Sequence, residues 1–204
     1  ERFWCEITDR PDVGADLKIP RTARIGHKVW SYELIRNIWP GDIVFHYKNQ
    51  TFIGASVAGG PVAEHPITWT PRSSKKREIT EAEQPRDGWS LPLYSFVQAS
   101  TPLTLTDIRN PADELWIRNW ITDKDKRYPR VASPFQRYKG SLRGAQGYLA
   151  KMPMEFVARW PQLSDLAARL TEAQDRFTQL GSFEPPEGGT EKLPDTSPLD
   201  DSEY

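Results

Sequence analysis

Apolar and polar positions alternate in RFWCEITD, residues 2–9, a period-two pattern that predicts an opening strand with a polar loop after it. Leu34, Ile35 and Ile38 then recur at helical spacing in SYELIRNIW. Ser31 is a good N-cap type at the front of that helix, and Pro40, Gly41 and Asp42 end it. DIVFHYKNQTFIGASVAGG (42–60) holds two strand-like runs about a short polar turn at 48–50, the pattern of a hairpin. Residues 66–88 carry proline, serine and the charge run RSSKKRE, so a long exposed loop is expected. WSLPLYSFVQAS (89–100) predicts another strand with Pro92 near its start. Residues 103–123 read as helical turns, with Pro111 fitting a first helical position. PMEFVARW and LSDLAARLTEAQDRFTQL are amphipathic and are closed by Gly181. Beyond it the chain is rich in proline, glycine and acid and too poor in large apolar residues to fold.

The 204 residues therefore divide into one domain over 1–181 and an acidic linker or tail over 182–204. With 37% hydrophobic and 27% charged residues, and no apolar run near the roughly 18 residues of a membrane span, no membrane partner is expected. A chain that starts at Glu1 without a signal or transit peptide reads as a portion of something longer. The lone Cys5 excludes an internal disulfide framework and suits a reducing cytoplasm. The net charge of −1 hides an asymmetry: seven acidic residues against Lys192 leave −6 over 182–204 and +5 over 1–181. A mildly basic body fits a polyanionic partner, although surplus surface cations also serve solubility.

Catalytic chemistry has little support. His27, His46 and His65 fall in no metal-binding spacing, and no nucleophile elbow, phosphate-cradling glycine loop or calcium loop occurs, so neither metal nor cofactor is expected. His46, inside VFHYK, reads as a hydrogen-bonded structural histidine, and Cys5 as a buried, inert thiol. Tryptophan is the unusual feature, with eight in the chain. Trp4, Trp39, Trp116, Trp120 and Trp160 are expected to pack in the core. Trp30, Trp69 and Trp89 stand instead at the edges of elements, in KVWSY, PITWTP and DGWSL. Such aromatics cap a core or line a slot.

Here the sequence resembles the PUA-like superfamily, in particular its EVE and YTH-like domains. The resemblance rests on VWS at 29–31, PITW at 66–69, GDIVFHY at 41–47 and FIGASVA at 52–58, in the family's order over residues 2–160. It implies an α+β fold: a PUA-like, twisted, barrel-like β-sheet flanked by helices. It also implies an aromatic cage for one nucleobase rotated out of its strand, with Trp30 and Trp69 as walls and Trp89 as a third. Ser31 and Asp9 would contact the edge of the base. The family commonly has asparagine near the place of Asp9, and a plain turn-forming role before Pro11 is an equal reading of that residue.

Phosphate contacts are expected from RYPRVASPFQRYKGSLRG (127–144), where Arg130, Arg137, Lys139 and Arg143 stand among Tyr128, Phe135 and Tyr138. Lys75 and Lys76, with Arg72 and Arg77, form a second candidate. The leading expectation is a noncatalytic DNA-binding specificity domain that flips a methylated base, 5-methylcytosine, 5-hydroxymethylcytosine or N6-methyladenine, out of double-stranded DNA. By resemblance, the partner beyond the tail would be an HNH-type nuclease, as in modification-dependent restriction. The alternatives are a reader of N6-methyladenine in single-stranded RNA and a nucleic-acid-modifying enzyme.

Overall fold

The computed structural model describes residues 2–22, 28–68, 85–127, 133–145 and 147–179, with the backbone alone over 173–179. Strand β1 (Phe3–Ile7) is buried on both faces, its alternate side chains entering the two cores that cover the sheet. It pairs in parallel with β3 (Ile43–Lys48) and antiparallel with β9 (Leu149–Met152). β3 turns back into β4 (Thr51–Ala58) through Asn49 and Gln50, both at positive φ (50° and 62°), the backbone of a tight two-residue hairpin turn.

The longest strand, β6 (Arg86–Thr104), has 19 residues and serves two neighbourhoods. Its first part pairs with β2 (Asp16–Pro20) and β5 (Ala63–Ile67), and from Leu93 onward it pairs with β4. The resulting order β2-β6-β4-β3-β1-β9 curls into a half-barrel flanked by helices, the expected α+β architecture. Pro92 is not at the start of its strand. It stands at the changeover between partners, where a residue without an N–H can be accommodated, and its carbonyl accepts from Gly59 N at 2.8 Å.

The curled sheet has a core on each face. One face, with Phe3, Phe45 and Phe52, is covered by α1 (Leu105–Ile108), α2 (Pro111–Arg127), α3 (Met154–Arg159) and α4 (Pro161–Gln179). The other holds Trp4, Leu17, Ile19, Val44, Trp89 and Leu91, and Ile35 of a short 3-10 helix (Trp30–Asn37) packs into it. Between β8 (Ser141–Gly144) and α2 lies β7 (Phe135–Tyr138), and β7 and β8 form a separate hairpin.

Several tryptophans meet the sequence expectation. Trp4 and Trp160 are buried, while Trp116 and Trp120 pack edge-on against Phe156, with ring centroids 5.0 and 4.9 Å away. Trp39 departs from it: at the end of the 3-10 helix it is exposed, with the Arg2 guanidinium 5.4 Å from its ring centroid. The polar loop after β1 contains β2, whose Leu17 and Ile19 are fully buried against β6. Gly181 and the tail at 182–204 lie outside the described residues.

Candidate nucleic-acid interface

The helix bearing Trp30 is tighter than an α-helix, and that decides where the indole points. With about three residues per turn, side chains eclipse at i and i+3. Tyr32 and Ile35, followed by Ile38 just past the helix, form the inward edge, which leaves Trp30, Glu33 and Arg36 on the outward one. Trp30 is accordingly 43% exposed. Ser31 is not the N-cap: Val29 holds that position, and Tyr32 N donates to its carbonyl at 2.9 Å, placing Ser31 inside the first turn.

Two clefts of about 410 Å³ each meet at Ala145. Such volumes lie within the roughly 300–1,000 Å³ of small-molecule pockets. The first is lined by Trp30 and Ser31 from the 3-10 helix, Lys124 and Asp125 from the last turn of α2, and Gln136 and Arg137 from β7. Phe135 and Leu149 form apolar parts of its wall. One aromatic face is thus combined with donors and acceptors able to meet the edge of a flat polar ring.

The second cleft is lined by Thr8 and Asp9, by Asn49 and Gln50 of the β3–β4 turn, and by Arg109 and Arg143. Asp9 is therefore not brought to Trp30. β1 ends at Ile7, and Thr8 Oγ1 accepts from Arg10 N at 3.2 Å, a turn that holds Asp9 on the other cleft. Arg109 is engaged with the Leu142 carbonyl, Nε at 3.0 Å.

Trp89 lines neither cleft. It is 6% exposed, paired with Ile19 and Glu64 in the three-stranded part of the sheet, and belongs to the enclosed core. The structure places the expected third wall in the packed cluster with Leu17, Ile19 and Leu91, on the covered face of the sheet and away from Trp30's cleft. Trp69, Lys75, Lys76 and Arg130 lie outside the described residues.

The remaining cations gather on the β7–β8 hairpin. Arg137 is exposed and reaches the Thr122 hydroxyl at 2.5 Å. Lys139 is exposed at the turn. Arg143 lies flat over Tyr138, its guanidinium carbon 3.8 Å from the ring centroid. With the Gln136 amide oxygen turned toward it, Arg143 also donates to Gln136 from Nε and Nη2 at 2.6 Å each.

Sequence reading missed Lys124, Asp125 and Gln136. Gln136 sits inside the very basic stretch expected to touch phosphate, and the Lys139–Gly140 pair was the available sign of a hairpin. Lys124 and Asp125 stand in the charge run at the end of α2 and had no distinguishing pattern. Among the described residues no group of three His, Cys, Asp or Glu side chains is placed to hold a metal ion. No helix among them is long and apolar enough to cross a membrane.

No protein-family model matches the chain, and no curated protein does. Among solved structures it is similar to a protein from Pseudomonas putida (13% identity, TM-score 0.41, 77% of this chain and 95% of that one). A hypothetical protein from Leishmania major is similar at 13% identity and TM-score 0.41, over 85% of this chain and 96% of that one. Human THYN1, solved in complex with DNA containing 5-methylcytosine, is similar at 9% identity and TM-score 0.38, over 91% of this chain and all of that one.

Proposed function

We propose that this chain is a modified-base reader of the EVE/YTH-like kind: it binds nucleic acid and holds one methylated base, turned out of its strand, against Trp30. The observation that carries the reading is an exposed indole on a cleft it shares with Lys124, Asp125 and Gln136, beside a hairpin carrying Arg137, Lys139 and Arg143. A flat π-system is held best against another. Stacking on an aromatic side chain contributes about 1–3 kcal/mol per base, and a buried methyl group adds about 0.8. The resemblance assigns the opposing wall to Trp69, which lies outside the described residues. Gln136, Asp125 and Ser31 supply the edge contacts that stacking lacks. Asp125, whose Oδ1 is paired with Lys124 at 2.6 Å, keeps Oδ2 to accept from an exocyclic amine, and Gln136, its oxygen held by Arg143, has its amide nitrogen to donate. In this reading the chain itself binds without turnover.

The test is a binding titration with matched oligonucleotides, duplex and single-stranded, bearing 5-methylcytosine, 5-hydroxymethylcytosine, N6-methyladenine or no mark. One mark is expected to bind more tightly than the unmodified control, and Trp30→Ala to weaken it by about 5- to 150-fold, the stacking energy expressed as affinity. A folded Trp30→Ala chain that binds like wild type overturns the reading. A preference for single-stranded RNA with N6-methyladenine selects the RNA alternative, and turnover of an oligonucleotide by this chain alone selects the enzyme.

A further inference from the structure

The β7–β8 hairpin carries a feature that base holding at Trp30 does not use. Its turn, Lys139 and Gly140, has φ of 48° and 77°, which closes the two strands in two residues and leaves a narrow tip. The root is fixed by Phe135 and Leu142, both buried. The tip is fixed as well: Arg118, itself paired with Glu114 at 2.5 Å, donates to the Gly140 carbonyl, and Arg137 holds Thr122. A hairpin with a buried root and an outer part bonded to α2 is held rigidly.

At its end Tyr138 is 47% exposed, with Arg143 stacked on its ring and the Lys139 Nζ 5.4 Å from the ring centroid. A planar ring with two cations close to it suits a place flanked by phosphates. Tyr138 and Gln136 share one face of the strand, two residues apart, so they are separated by about 7 Å. Gln136 lines the Trp30 cleft and Tyr138 is exposed beside it, so a duplex that gives up a base to that cleft brings its vacated step next to Tyr138.

We propose that Tyr138 is the wedge of a double-stranded DNA reader: it enters the stack and fills the place left by the base held at Trp30. This rests on the base-holding reading above. It gives the hairpin a distinct task, because a base turned out of a duplex costs a few kcal/mol of lost pairing and stacking, whereas a single-stranded ligand has no vacancy to fill.

The 204-residue chain and its Tyr138→Ala, Tyr138→Phe and Trp30→Ala variants are titrated with a duplex and a single strand carrying the same mark, the tightest-bound of the three modified bases above. Tyr138→Ala is expected to weaken duplex binding at least tenfold and single-strand binding less than twofold, with Tyr138→Phe near wild type. A 2-aminopurine placed opposite the marked base brightens when the wild-type chain opens the stack, and Tyr138→Ala changes that signal. Equal loss on both ligands, or no loss on the duplex, overturns the wedge while leaving the Trp30 reading intact. Undiminished binding of Trp30→Ala to both ligands overturns the Trp30 reading itself; absence of wild-type binding to any marked duplex overturns the wedge, and absence of binding to any marked ligand, duplex or single-stranded, overturns both.

Discussion

His46 Nδ1 lies 2.7 Å from Glu6 Oε2, and neither side chain has any exposed surface. His46 Nε2 is 2.8 Å from the Ser56 hydroxyl, and Tyr148 donates to the second Glu6 oxygen at 2.6 Å. The Tyr148 hydroxyl is pushed well above its ordinary pKa by burial and then by the Glu6 charge, so it stays a donor. The chain Ser56–His46–Glu6–Tyr148 thus ties β4, β3 and β1 to the segment entering β9. Its members have the order of a nucleophilic triad, but Ser56 is fully buried. Removing one member strands the others without water. Glu6→Ala is expected to cost about 3–5 kcal/mol, the usual result of breaking a buried pair. Urea denaturation of the two chains, read as a shift in midpoint at unchanged slope, checks this.

The residue across from His46 is Gly54, and its missing side chain is structural. A Cβ there would lie 2.5 Å from the Val97 carbonyl oxygen and 2.9 Å from the Phe96 ring, which itself leans over His46 with centroids 5.8 Å apart. The ring can move, but the carbonyl belongs to the paired strand β6 and cannot. Gly54→Ala is therefore expected to destabilise by about 1–3 kcal/mol, as overpacking does. In a parallel melt, the exposed Tyr138→Ala serves as the control that leaves the transition unmoved.

What the sequence disclosed depended on how local each cause was. The β3–β4 hairpin was legible because both strands and the Asn49–Gln50 turn fall within 20 residues. β2 was hidden because Leu17 and Ile19 stand among charged residues, and their partner, the start of β6, comes about 70 residues later. Pro92 misled because its meaning is a change of partner along one strand. Trp30 was legible as an edge aromatic, yet its outward direction comes from the three-residue period of its helix, which a pattern of Leu34, Ile35 and Ile38 does not separate from the α-helical one. Trp89 looked similar in sequence, and only its packing with Leu17, Ile19 and Leu91, distant in the chain, shows it to be core.

Asp113, on the first turn of α2, ties that helix to the end of α3 and to the residue just before α2. Its carboxylate accepts from Arg159 Nε and Nη2 at 2.6 Å each, Trp160 Nε1 at 3.3 Å and Asn110 Nδ2 at 2.5 Å. Burial raises its pKa, but these donors outweigh it and hold the group below the ordinary aspartate value of 3.8. A carboxylate with a depressed folded-state pKa contributes stability above its unfolded value. That contribution is lost as the pH falls through the folded value. Asp113→Asn is expected to lower the melting temperature clearly at pH 6, and the gap from wild type should narrow below about pH 4. A gap that is constant from pH 6 to pH 3 excludes this role.

Lys139 offers the simplest test of how the hairpin meets its ligand. Exposed at a two-residue turn and bound to no carboxylate among the described salt bridges, it is placed to neutralise one phosphate rather than to read a base. Each phosphate neutralised releases condensed counterions, which contributes about −0.9 to the slope of log affinity against log salt for duplex DNA. Lys139→Gln is expected to make that slope shallower by about that amount. It should also weaken marked and unmarked duplexes by the same factor, leaving the preference between them unchanged. Trp30→Ala should do the reverse, lowering the preference while leaving the salt slope in place, because stacking displaces no counterions. Titrations at several salt concentrations with both variants separate the two contributions, and a Lys139→Gln chain that loses preference would move Lys139 from the phosphate contacts to the base pocket.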